Sequence, residues 1–77
     1  MDSRLNIPEN KIPEFLSGLE NIMIEYSDNY KIPALKEKDE EGYFTISFDI
    51  QLDKEQTSDF MRRFNAYMIS TQREYNN

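Results

Sequence analysis

The chain has 77 residues, 38% of them apolar, with five Phe and five Tyr; that is enough for one compact core near the lower size limit for folding without metal or disulfide help. Neither histidine nor cysteine occurs, which removes the usual neutral-pH base, the thiolate nucleophile, any disulfide and nearly all transition-metal ligand sets. Fifteen acidic against nine basic residues give a net charge of −6, so nucleic acid and anionic lipid are repelled at long range.

The charge is unevenly spread. Residues 1–53 carry twelve acids and five bases, whereas residues 54–77 carry three acids and four bases and form the one stretch that is not negative. The opening Met1-Asp2-Ser3-Arg4-Leu5-Asn6 has no basic segment leading into an apolar run, and no stretch approaches the roughly 18 apolar residues of a membrane span. A chain that is neither exported by a standard signal nor embedded in a membrane is expected, with the cytoplasm as the default for a protein without Cys.

In chain order, Leu5 and Ile7 alternate with polar neighbours before Pro8 and allow a short strand or arm within residues 1–9. Asn10 can cap a helix over 11–28, with Pro13 tolerated in its first turn. Ile12, Phe15, Leu16, Leu19, Ile22, Met23 and Tyr26 recur there at helical spacing, with Glu14, Asn21, Glu25 and Asp28 opposite. Residues 31–37 read as a strand that Pro33 confines to a sheet edge, since proline cannot donate to a ladder. The charged run Lys36 to Glu41 is closed by Gly42 in the manner of a turn.

From Tyr43 to Leu52 alternation is strict: Phe44, Ile46, Phe48, Ile50 and Leu52 on one face, Tyr43, Thr45, Ser47, Asp49 and Gln51 on the other. Asp53, with Gln56 three residues on, then caps a helix over 54–74 whose apolar stripe is Phe60, Met61, Phe64, Tyr67, Met68 and Tyr75. The expected fold is α+β: one small two-layer domain over 1–77, ordered β-α-β-β-α, or α-β-β-α if the first strand fails. Two amphipathic helices pack on one face of a short, mostly antiparallel sheet.

Gly18 and Gly42 are too far apart for a phosphate-cradling loop, and Gly18, beside the apolar sector of its helix, is read as admitting another backbone or as merely tolerated. Asp39, Glu40 and Glu41 lack the alternating ligand spacing of a calcium loop. No carboxylate pair is favoured by spacing for acid–base work. No catalytic residue, metal or cofactor is expected, and the chain is read as not an enzyme. Glu41-Gly42-Tyr43-Phe44-Thr45-Ile46-Ser47-Phe48 resembles, over eight residues, the ribonucleoprotein signature of RNA-recognition domains, with Tyr43 at a ring position. Glu41 stands where that signature is basic and Thr45 where its second ring belongs, so the segment is read as an ordinary amphipathic strand.

Two surfaces remain as candidates for binding. On the first helix Ile24 projects away from the apolar stripe, and on the second Ile69 projects between Arg62 and Arg73; such aliphatics anchor a protein partner or a second copy, with the arginines as a polar rim. Tyr43 opens the polar strand face, which two helices on the other side would leave uncovered. The expectation is therefore a protein-binding regulator, inhibitor or accessory subunit, which binds neither nucleic acid nor membrane directly. The alternative is an acidic mimic of nucleic acid, using Glu14, Glu25, Asp28, Asp39, Glu40, Glu41 and Asp49 against a DNA- or RNA-binding protein. Abundant Asn, Ile, Lys and Tyr suit an AT-rich coding sequence, which favours a bacterial, phage or mobile-element origin and would fit an anti-defence role.

Overall fold

A computed structural model describes residues 2–75; Met1 of the expected N-terminal arm, and Asn76 and Asn77 at the end of the expected domain, lie outside the described residues. The elements are β1 (Asp2–Leu5), a 3-10 turn (Glu9–Lys11), α1 (Ile12–Tyr26), β2 (Tyr30–Lys36), β3 (Phe44–Ile50) and α2 (Lys54–Tyr75). The order is β-α-β-β-α, with the first strand formed. The sheet order is β1-β3-β2 and both pairings are antiparallel. Consequently β1 and β2 run in the same direction on either side of β3, joined through α1 as a split β-α-β unit.

The alternation of β3 dictates the layering. Phe44, Ile46 and Phe48 are buried with Leu5 of β1, against Phe15, Leu19, Ile22 and Met23 of α1 and Phe60, Phe64 and Met68 of α2. Both helices thus cover one sheet face. Phe48 lies 4.9 Å from Phe64 and 6.0 Å from Phe60 between ring centroids, and Tyr26 meets Phe60 edge-on at 5.5 Å. Leu52, beyond the end of β3, packs half-buried against the same core.

Each helix end has a local cause. Asn10 does not cap α1: it sits inside the 3-10 turn, where the Lys11 N–H donates to the Pro8 carbonyl at 2.9 Å, and no side chain caps the helix. The tight turn leads straight into the helix, and Pro13 in the first turn has no N–H that needs a partner. At the other end Ser27 is extended and its hydroxyl accepts the Asn29 N–H at 2.9 Å, so α1 stops at Tyr26, short of Asp28. Asp53 does cap α2, its Oδ1 accepting the Gln56 N–H at 2.8 Å, while its carbonyl accepts the Thr57 N–H at 2.9 Å. Asp53→Ala is expected to lower unfolding stability by about 1 kcal/mol, read by urea titration.

Strand β2 carries an irregularity. Lys31 pairs with Asp49 and Ala34 with Ser47, so Ile32 and Pro33 share the place opposite Phe48. This bulge lets Pro33 sit buried on the edge strand while Ile32 is 70% exposed. Proline and a bulge together blunt that edge against pairing with another strand.

The α1–α2 seam turns on Tyr67. Its ring stacks on Phe15 at 4.8 Å, and its hydroxyl donates to the Phe15 carbonyl at 2.8 Å. A methyl at Gly18 would overlap the Tyr67 phenol oxygen. Gly18 therefore makes room for a side chain of the other helix, not for a backbone.

Candidate protein interface

With Phe60, Phe64 and Met68 facing the core and Tyr67 and Arg63 facing α1, the 100° step of the helix leaves a third face of α2 turned to solvent. Ile69 lies on that face, 55% exposed, along with Arg62, Ala66 and Arg73. Ala66, Ile69, Ser70, Arg73 and Glu74 line an open depression of about 520 Å³. Arg62 lies outside this lining, one turn before Ala66, with Nη1 4.0 Å from Asp59 Oδ1. The Ile69–Arg73 part of the expected set thus comes together in one depression, with Arg62 along the same stripe.

Ile24 is 50% exposed on α1. The seam side of α1 is taken by Phe15, Gly18 and Glu25, the last accepting from Arg63 Nη2 at 2.7 Å. Helical geometry turns Ile24 away from that seam, as it turns Ile69 away on α2, so the two isoleucines belong to separate surfaces.

The open sheet face is already paired with itself. Arg4 stacks its guanidinium over the Tyr43 ring, 4.4 Å from the centroid, and donates to Asp39 at 2.9 Å and Glu41 at 3.2 Å. Lys36 donates to Asp2 at 3.4 Å across β3, and Lys31 stands opposite Asp49 in the β2–β3 register. The ring face that base stacking would use on Tyr43 is thus covered from within the chain.

The acidic set of the mimic alternative is dispersed. Glu25 is bound to Arg63 beside the helix seam, and Asp39 and Glu41 are bound to Arg4 in the β2–β3 loop. Glu14 borders a small depression with Lys11 and Tyr67, whereas Asp28 and Glu40 are exposed in connecting segments. Asp39 is chiefly a turn organiser. Its Oδ1 accepts the Glu41 N–H at 2.9 Å and the Tyr43 N–H at 3.0 Å, while its carbonyl accepts from Gly42, which occupies a φ of 91° that suits glycine. The Tyr43 N–H first, and Arg4 among the further causes, hold the Asp39 carboxyl below its ordinary value of 3.8. Its contribution to stability is therefore complete above about pH 3.8 and is lost as pH falls through the lowered folded value. Asp39→Asn is expected to flatten the fall in melting temperature on acidification from about pH 5 to about pH 2.

Two exposed aliphatics on β2 had no counterpart in the sequence reading: Ile32, and Leu35 at 41% exposure. At Ile32 the bulge breaks the two-residue alternation, whereas Leu35 lies opposite the buried Ile46 on an edge strand. Ile32 borders a depression of about 330 Å³ with Lys31, Ala34, Ser47 and Asp49. Among the described residues no helix is long and apolar enough to cross a membrane. No protein-family model matches the chain, and no curated protein and no solved structure matches it.

Proposed function

We propose that the chain is a non-enzymatic protein-binding module, acting in the cytoplasm as a regulator, inhibitor or accessory subunit by occupying a macromolecular partner through the outer face of α2. The observation that carries this reading is Ile69: a large aliphatic, 55% exposed, beside a depression lined by Ala66, Ser70 and Arg73 on a helix that, unlike the acidic α1, is not negative. An aliphatic flanked by arginines is the composition of an interface anchor with its polar rim. The other surfaces support binding less well. The open sheet face carries its own ion pairs, the β2 edge is blunted by Pro33, and of the mimic carboxylates Glu25 is paired with Arg63 while Asp39 and Glu41 share Arg4.

The test is affinity capture from lysate of the source organism with wild type, Ile69→Asp and Ile24→Asp, each shown to be folded by circular dichroism. Wild type and Ile24→Asp are expected to retain the same protein at low and moderate salt, and Ile69→Asp to lose it at least tenfold. Retention by Ile69→Asp that collapses with salt would instead indicate recognition by charge.

A further inference from the structure

The outer face of α2 is complementary to itself. Glu55, Asp59, Arg62, Ala66, Ile69 and Arg73 follow one another at alternating steps of four and three, the spacing that keeps a stripe along one side of a helix, and all six are exposed. Charge is graded along this stripe, acids in the first two turns and Arg73 in the last. Asp59 and Arg73 stand seven residues to either side of Ala66, whose small side chain lets another helix come close.

Two α2 helices crossing antiparallel about a two-fold axis at Ala66 would set Asp59 of each copy opposite Arg73 of the other, so two ion pairs form by symmetry. A parallel crossing would instead set Arg73 against Arg73 and Asp59 against Asp59. Asp59 has one loosely held oxygen to offer. Its Oδ2 accepts from the Tyr26 hydroxyl at 2.6 Å, whereas Oδ1 faces Arg62 at a loose 4.0 Å in an exposed pair. Ile69, one turn from the axis, would lie against Ala66 and the aliphatic stem of Arg62 of the facing copy, while the depression lined by Ala66, Ser70 and Arg73 would receive the facing Asp59 and Arg62.

We propose that the occupant of this face is a second copy of the chain, docked as an antiparallel α2–α2 pair centred on Ala66. This rests on the reading that the outer face of α2 binds protein, and names the partner. A helix of 22 residues spans about 33 Å, and one crossing of two such helices covers less than a standard interface of about 1,600 Å², so the dimer is weak and concentration-dependent.

Sedimentation velocity from about 10 μM to about 1 mM tests it. Wild type is expected to pass reversibly from monomer to dimer over that range. Asp59→Arg alone and Arg73→Asp alone each put like charges together twice and should raise the dissociation constant at least tenfold, as should Ile69→Asp. The deciding sample is an equimolar mixture of Asp59→Arg with Arg73→Asp: both facing pairs become opposite in sign again, so the mixture should dimerise although neither variant does alone. That rescue also shows both variants to be folded. Wild type that stays monomeric to about 1 mM, or a mixture that fails to associate, overturns the inference. A monomeric wild type whose heterologous partner is lost with Ile69→Asp would leave the binding reading standing without the dimer. A dimer that forms as described, with no other partner depending on Ile69, would leave the dimer standing without the wider binding role.

Discussion

Phe60→Ala is expected to bring the chain close to its unfolding threshold. Phe60 is 1% exposed and meets three other rings, Tyr26, Phe48 and Phe64, so it joins both helices to the central strand. Its truncation loses the transfer free energy of the ring and leaves a cavity that rigid aromatic neighbours cannot collapse, at a cost of about 3–5 kcal/mol. A domain of this size has roughly 4–12 kcal/mol in total, and each kcal/mol shifts its melting temperature by about 4–8 °C. Calorimetry should therefore show a melting temperature at least ~12 °C lower, or no transition at all. Ile69→Ala, nine residues further along the same helix but exposed, should change stability by no more than about 0.5 kcal/mol.

The second large effect concerns Gly18. On helix propensity alone Gly18→Ala should stabilise α1 by up to about 1 kcal/mol. Here the sign is expected to reverse. The new methyl would overlap the Tyr67 phenol oxygen, which is not a loose end: the ring is stacked on Phe15 and its hydroxyl is bound to the Phe15 carbonyl. Pushing it aside forfeits a hydrogen bond and a ring stack, and a net loss of about 1–2 kcal/mol is expected in urea unfolding. In a Tyr67→Ala background the clash is gone and the same substitution should become stabilising. The double-mutant cycle isolates that coupling; additive behaviour would show that Gly18 and Tyr67 do not meet. Burial also pushes the Tyr67 phenol above its usual value, which keeps it a neutral donor across the working pH range.

What could be read from the sequence was what one element determines by itself. The two-residue alternation of Phe44, Ile46 and Phe48 and the helical spacing of Phe15, Leu19 and Ile22 placed the layers, because periodicity depends only on which face is buried. Asp53 was legible as a cap since its acceptor and the Gln56 N–H lie within one turn. Asn10 had the same appearance and was displaced by the backbone bond of the 3-10 turn, a competition between two local solutions that residue types alone do not decide.

Relations between distant segments were not legible. Tyr67 over Gly18 and Arg4 over Tyr43 each link residues far apart in the chain, and neither partner's own neighbourhood announces the other. The exposure of Ile32 was hidden for a related reason: the bulge opposite Phe48 shifts the strand's phase by one residue, and only the pairing with β3 reveals it. Ile69 was legible because a helix stripe excludes it within a single element, and the depression beside it then follows from the small Ala66 and Ser70 on the same face.

Three isoleucines mark three separate surfaces: Ile24 on α1, Ile32 on the β2 edge and Ile69 on the outer face of α2. Methyl NMR of isoleucine-labelled chain, titrated with its captured partner or with unlabelled chain, therefore reports directly which surface binding covers. The expected result is a shift or broadening of the Ile69 methyl that saturates with binding while Ile24 and Ile32 stay in place. A response at Ile24 or Ile32 with Ile69 unmoved would contradict binding through the outer face of α2.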